Sequence, residues 1–379
     1  MSNKRGGHEK TSKRTVGLGV KGKEEAAEDP KGACDVPRVK LPKDDETYKA
    51  CIKNSTDIAE ATKDVYLYSI KRLTKYTNMP IRDIMKNPKV AYDKLRRHVK
   101  HEPTLKTTVA TVLAVMKHTK VKASHKTLFR QWYAIYMPHM QKATTMRENN
   151  IPSDRQRTAS IAWTKVLSRH AALAKTAFGS NDHLLLSFYV LLKPRRQGDY
   201  FRLKILEGKS KDVGGDEKLN AFVVLNGVSK PYISVVEYKT SNSLKPWTKE
   251  LPPDLVAVLK ANLKKKEHRN KGFVFVQKDG TPFQTRNAFT QYSNRVLKRV
   301  LGGNTTVNSL RHAYASYRNK MGLSLKQRQM DAMDMGHSLE THLSYAVDNV
   351  QNNTKTLKTY LDETKGKKRK RDVKQTTNA

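Results

Sequence analysis

Cysteine is nearly absent: Cys34 and Cys51 are the only two in 379 residues. That excludes a disulfide scaffold and a zinc site built on thiolates. Long apolar runs are absent too. No stretch approaches the roughly 18 residues a membrane span requires, and the first residues are rich in Gly, Lys and Thr, so no membrane contact and no signal peptide are expected. Acidic side chains are scarce beside basic ones, 35 Asp and Glu against 74 Lys and Arg, for a formal net charge of +39. Apolar residues make up 37% of the chain, enough for helical cores, while a mean hydropathy of −0.73 leaves much of the surface polar. No internal repeat stands out.

What is abundant is positive charge, and its distribution matters. Residues 1–43 carry a net +5 and residues 365–379 a net +6, which leaves +28 between residues 44 and 364, the part that should fold. A folded surface so basic predicts a polyanionic partner, because neutralising phosphates releases condensed counterions. With so little cysteine, the setting implied is a reducing compartment that contains nucleic acid, intracellular rather than secreted. The run KKRKR at 367–371 reads equally as a nuclear-localisation signal or as a DNA-sticky tail.

Residues 1–43 show no apolar period and are punctuated by Pro30, Pro37 and Pro42, so a disordered tail is expected. A helical period then governs 44–143. Ile58, Ala61 and Val65 share a face, as do Tyr66, Ile70, Leu73 and Tyr76; further helices follow from Asn87-Pro88, from Thr107 and from Leu128 to Tyr136. Met137-Pro138 and the polar stretch 144–159 read as the end of this helical domain and a linker. From 160 to 362 a second domain is expected, before a basic tail at 363–379. It opens with helix 161–177 and an apolar run ending at Pro194. Short β-prone segments at 221–225, 232–238 and 244–251 are separated by turn residues Asn226-Gly227 and 241–243, predicting a small antiparallel sheet. Helices resume at 253–265, 287–300, 309–321, 325–333 and 339–348. The fold class is mainly α with a small sheet, α+β in two domains.

Four short motifs stand in order in the second domain. Arg196 precedes Asp199 by three residues, after an apolar helix and four residues before Leu203. Lys239 and Thr240 sit at a turn between strands. Asn308 and Arg311 are three apart, within Leu310, Arg311, His312, Ala313, Tyr314, Ala315 and Ser316. Gly336, His337 and Ser338 are followed by Tyr345, eight residues past His337.

This set resembles the tyrosine recombinase, or phage integrase, family of viruses and mobile elements, and the resemblance covers about residues 185–348. The helical segment before it resembles the family's core-binding domain by architecture alone. The resemblance implies cleavage and rejoining of DNA strands without ATP, cofactor or metal. Two domains would clamp double-stranded DNA, and a homo-tetramer would exchange strands. The basicity and the tail, rather than the resemblance, suggest a host nucleus or a virion as the setting. It assigns Tyr345 as nucleophile, Arg196 and Arg311 as phosphate clamps, Lys239 as proton donor to the leaving oxygen, and His337 as a donor to the phosphate or an aid to Tyr345. Asp199 would be a buried acid orienting the arginines. Arg195, outside that assignment, reads either as ordinary surface solvation or as a DNA contact clamping a phosphate.

The residue types suit that chemistry. Negative charge collects on the non-bridging oxygens as a phosphodiester is attacked, and a guanidinium presents a planar fork of donors to them. A phenol can carry the phosphoryl group covalently and so conserve the bond energy. Lys245 and Lys249 compete with Lys239, and Tyr314, Tyr317 and Tyr360 with Tyr345; the first two tyrosines share the Arg311 helix and are expected in the core. One departure stands out: the family's box usually begins with histidine where this chain has Asn308, and an amide takes no proton near neutral pH. The base role then falls to His312, to His337 or to water, although His312, next to Arg311 on a helix, is expected to point elsewhere. Two other readings keep the fold: a type IB topoisomerase-like relaxer acting as a monomer, and a non-catalytic DNA-binding derivative.

Overall fold

The computed structural model describes residues 41–207, 221–240, 246–264 and 272–345. Most of the expected N-terminal tail, the turn 241–243 with Lys245, Tyr360, the 367–371 run and the basic tail lie outside the described residues. The chain divides into two compact units, residues 1–136 and 137–379.

The first unit is helical. Its elements are α1 (Asp45–Lys53), α2 (Glu60–Thr77), α3 (Ile81–Lys86), α4 (Pro88–His98), α5 (Glu102–His118), α6 (Val121–Ser124) and the first half of α7 (Lys126–Glu148). Local chemistry explains the boundaries. Asp44 caps α1 by accepting from the Thr47 amide at 2.7 Å, and Pro88 occupies the first turn of α4, where its missing N–H costs nothing. Tyr48, Ile52, Ile70, Leu73, Leu95, Leu105 and Val109 form the core with Trp132, whose indole N–H donates to the Met85 carbonyl at 3.1 Å. Residues ahead of the expected domain start at 44 contribute to it: Leu41 is buried in this core, and the Tyr48 hydroxyl donates to the Pro42 carbonyl at 3.0 Å.

The expected helix end at Met137-Pro138 is not found. Helix α7 runs through Pro138 to Glu148. Proline removes one backbone donor, but Pro138 and Ala134, the residue whose carbonyl loses its partner, are both exposed, so water can replace that bond. Much of the stretch read as linker is therefore helical, to Glu148 and again in α8 (Asp154–Thr158). There Ser153 and Gln156 form a capping box.

The second unit continues with α9 (Trp163–Thr176) and α10 (Asn181–Val190), a 3-10 turn at Gln197–Tyr200, then strands β1 (Lys204–Glu207), β2 (Ala221–Asn226), β3 (Tyr232–Val235) and β4 (Trp247–Glu250). Helices α11 (Pro253–Leu263), α12 (Arg286–Leu301), α13 (Val307–Lys320), α14 (Leu325–Asp334) and α15 (Leu339–Tyr345) follow. The architecture is mainly α with one small sheet, as expected, but the sheet is mixed. Its order is β1-β2-β3-β4; β2–β3 and β3–β4 are antiparallel, whereas β1 pairs parallel to β2. A parallel pair needs a connection of about a dozen residues, and 13 residues (208–220) separate β1 from β2. The core gathers Leu185, Phe188, Tyr189, Tyr200, Val223, Ile233, Leu259, Phe289 and Leu310. Among the described residues, no helix is long and apolar enough to cross a membrane.

Candidate active site

The site is assembled on the C-terminal end of α14. Gly336 adopts φ +68°, its amide bonds the Met333 carbonyl at 3.0 Å, and the His337 amide reaches the Ala332 carbonyl at 3.1 Å. This is the left-handed glycine cap of a Schellman motif. Reversing the chain there turns two successive carbonyls inward. The Met335 carbonyl accepts from Arg311 Nη1 at 2.9 Å, and the Gly336 carbonyl accepts from Arg196 Nη1 at 2.8 Å.

Arg311 projects from α13, a helix fixed by a Thr306/Ser309 capping box. It is 1% exposed; Nη1 also reaches the Pro194 carbonyl at 2.7 Å, and Nη2 lies 2.9 Å from His337 Nδ1. Burial pulls this guanidinium below its ordinary value, while the adjacent Tyr345 pushes it back up. The Tyr345 ring sits 5.2 Å from Arg311 Cζ, with its centroid 5.0 Å from that of His337 and 4.5 Å from that of His312.

His337 is buried and neutral. An arginine can only donate, so Nδ1 accepts and the ring proton belongs on Nε2, facing His342 Nδ1 at 3.3 Å. Burial first, then the charges of Arg311 and His342, drive its pKa far below the ordinary histidine value. His342 is itself pushed down to about 4, chiefly by burial. Both ring nitrogens of His337 are thus engaged, and its ring packs against Tyr345 at an interplanar angle of 70°.

Arg195 corrects an expectation. It is wholly buried and so not placed to touch DNA. Along the extended backbone after Pro194, neighbouring side chains point to opposite sides, and only Arg196 keeps part of its surface accessible. Arg195 Nε donates to Asp199 Oδ2 at 3.0 Å and Nη1 to the Asp334 carbonyl at 2.8 Å, while Cζ stacks over Tyr238 at 4.8 Å and Trp247 at 4.4 Å. Asp199 is the buried acid expected, yet its ion pair is with Arg195 rather than with Arg196 or Arg311. Burial raises the Asp199 carboxyl against the pull of Arg195, Arg196 and Arg311.

Lys239 is exposed on the turn after β3. Its neighbours tie that turn to the site: Tyr238 covers Arg195, and the Thr240 hydroxyl donates to the Gly336 carbonyl at 3.0 Å. The rival Lys249 is held in an ion pair with Asp334 at 2.7 Å. Tyr314 is buried edge-on to Trp163, with ring centroids 5.2 Å apart, and belongs to the core. Asn308 is exposed and faces a cavity of about 1160 Å³ between α8, α9, α12 and α13. Among the described contacts it does not join Arg196, Arg311, His337 and Tyr345.

Sequence reasoning underrated His312. It does not point away: Nδ1 lies 2.9 Å from the Tyr345 carbonyl, and Nε2 lies 3.2 Å from Gln156 Nε2. The carbonyl needs a donor and the amide nitrogen an acceptor, so His312 carries its proton on Nδ1. Its position four residues after Asn308, on the same helical face, was the available signal. His342, Trp247 and Asp334 were also missed. Among the described residues no group of three or more His, Cys, Asp or Glu is placed to hold a metal ion.

No protein-family model and no curated protein matches the chain. Solved structures do. The Tn1549 transposon integrase in complex with transposon right end DNA aligns with a TM-score of 0.50 at 14% identity, over 84% of this chain and 98% of that one. A lambda integrase tetramer bound to a Holliday junction aligns with a TM-score of 0.48 at 16% identity, over 82% and 78% of the respective chains. A XerH site-specific recombinase bound to its difH substrate aligns at 0.37 and 13%, over 81% and 96%. At such identities the likeness is one of fold: this chain has the fold of a recombinase or integrase.

Proposed function

We propose that the chain cuts and rejoins double-stranded DNA through Tyr345, as a strand-transfer enzyme of the tyrosine recombinase kind. The carrying observation is the convergence of Arg196 and Arg311 on consecutive carbonyls of one turn, with Tyr345 stacked 5.2 Å from Arg311. Two guanidinium groups from distant parts of the chain thereby meet at one turn, one of them against the phenol, in a largely buried setting. Preorganised charge of this kind is usually the largest contributor to stabilising a phosphoryl transition state.

Tyr345 Oη forms a bond to phosphorus, the bond from phosphorus to the 5′ oxygen breaks, and that oxygen takes a proton from Lys239. The phenol proton passes to water, since His337 and His312 already have both ring nitrogens engaged. The 3′-phosphotyrosine keeps the ester energy, so a 5′ hydroxyl can reverse the step without ATP. A tetramer acting on paired duplexes accords with the assembly in which the lambda integrase was solved.

A nicked suicide substrate, whose 5′ fragment diffuses away, tests this reading. The wild-type chain should accumulate a covalent protein–DNA adduct that survives denaturation, and Tyr345→Phe should form none. No adduct with wild type, or an adduct with Tyr345→Phe, refutes it.

The exposed Asn308, set apart from the cluster, favours one second reading: a non-catalytic DNA-binding derivative. It predicts tight, salt-dependent duplex binding with no adduct from any variant. Relaxation of supercoiled plasmid by a monomer would instead place the activity with the type IB topoisomerases.

A further inference from the structure

The turn that ends α14 also anchors the hairpin that carries Lys239. Three side chains of that hairpin reach it. Thr240 Oγ1 donates to the Gly336 carbonyl, Trp247 Nε1 to Asp334 Oδ1 at 3.1 Å, and Lys249 Nζ to Asp334 Oδ2 at 2.7 Å. Trp247 and Lys249 are two apart on β4 and so share a face, which lets one carboxylate hold both. Lys193 joins from the other side, 2.9 Å from Asp334 Oδ2 and 2.7 Å from Asp331 Oδ1. The Asp334 backbone takes part as well, its carbonyl accepting from Arg195, whose guanidinium stacks on Tyr238 and Trp247.

We propose that Asp334, with Trp247 and Arg195 packed around it, is a positioning residue that sets where Lys239 stands relative to Arg311 and Tyr345. The proposal rests on Lys239 being the proton donor to the leaving oxygen. Strands β3 and β4 pair within the four-stranded sheet, but Lys239 lies four residues past the end of β3, outside the paired residues. Lys239 is exposed at its turn, so local packing does not fix the ammonium. Among the described residues, the neighbours that tie its backbone to the site are Tyr238 and Thr240 on either side, and Trp247 and Lys249 on the returning strand. Proton transfer demands an approach of about 2.6–3.2 Å, and a displacement of about 1 Å costs on the order of a hundredfold in rate. Asp334→Asn keeps an acceptor for Trp247 but loses the charge that draws in Lys249 and Lys193. Trp247→Phe removes one donor and keeps an aromatic ring beside Arg195.

The test separates proton donation from everything else. With an ordinary phosphodiester the departing 5′ oxygen needs the Lys239 proton; with sulfur in that bridging position the thiolate leaves unprotonated, and the rest of the step is unchanged. Single-turnover adduct formation by the full chain is measured on both substrates. Asp334→Asn and Trp247→Phe should slow cleavage of the ordinary ester by about 10- to 100-fold and come within about threefold of wild type on the sulfur ester. Lys239→Ala should show the same rescue, whereas Arg311→Ala should be slow on both. Equal loss on both substrates, as a general loss of structure would produce, overturns the proposal, and so does no loss on either. A wild-type chain that forms no adduct on either ester, or a Lys239→Ala chain that sulfur does not rescue, defeats the underlying reading. A rescued Lys239→Ala beside an unrescued Asp334→Asn defeats the positioning role alone.

Discussion

Gly336→Ala strikes the turn on which the site is assembled, and its cost can be worked from the structure. Gly336 holds φ +68°, a conformation costing a residue with a side chain about 1–2 kcal/mol. A Cβ there would also lie 2.8 Å from Arg195 Nη2 and 3.2 Å from its Cζ. Arg195 has little room to yield: Nε is held by Asp199, Nη1 by the Asp334 carbonyl, and the guanidinium stacks on two aromatic rings. Forcing atoms into such packing adds about 1–3 kcal/mol, so the total is about 2–5 kcal/mol. For a unit of this size each kcal/mol lowers the melting temperature by about 2–4 °C, giving a shift of roughly 4–20 °C in the transition of the second unit by scanning calorimetry. Gly336→Asn separates the two contributions, because asparagine tolerates the left-handed region but still carries a Cβ. It should recover part of the loss and no more. A Gly336→Ala protein melting within about 1 °C of wild type, or full recovery with asparagine, would refute the packing argument.

Removing the buried partner of Asp199, as in Arg195→Met, strands a carboxylate that is 2% exposed; a loss of about 3–5 kcal/mol is expected in denaturant unfolding, with partial recovery when Asp199→Asn is added. Stability should also fall on acidification. His183 and His342, both lowered to about 4 chiefly by burial, are neutral when folded but protonate near the ordinary pKa of 6.5 when unfolded, so their stabilisation is complete above pH 6.5 and drains away between pH 6.5 and 4. Urea unfolding at pH 7 and pH 5 checks this: His183→Gln should flatten the dependence, and an equal slope in the variant would remove His183 as a cause. DNA binding should weaken steeply with salt, with a log–log slope of roughly −5 to −9 for contacts to six to ten phosphates; a slope near zero in filter binding would contradict the counterion argument.

Most helices were legible because their apolar residues recur at helical spacing. Thr306 and Ser324 open α13 and α14 through capping boxes closed three positions on; α8, inside the stretch read as linker, was not legible, although Ser153 and Gln156 form the same local cap. Strand β1 was not legible. Four residues of mixed character carry little period, and the parallel partner lies beyond a long connection, so pairing depends on contacts that no local window holds. Helix α7 was cut short for the opposite reason. Proline was weighed as a local breaker, whereas the solvent exposure of Ala134 and Pro138, which lowers its cost, is a property of the fold.

In the site, spacing located the residues better than it assigned their work. Eight residues from His337 to Tyr345 allow one turn and a short helix, enough to bring the phenol back over its own histidine. Spacing to Asp199 singled out Arg196, but it did not show that Arg195 is buried: alternation along an extended segment says only that the two diverge, and the burial of Arg195 depends on its pairing with Asp199 and on Tyr238 and Trp247 arriving from the sheet. The sequence DMG at 334–336 held an overlooked signal. An aspartate immediately before the glycine turn, in a chain with so few acidic residues, marks the point where positive groups from three segments meet: Lys193 and Arg195 before the sheet, Lys249 on β4, and Arg318 through the neighbouring Asp331. In a chain of net charge +39, the few buried acids are therefore informative, because each must gather cations that would otherwise repel one another.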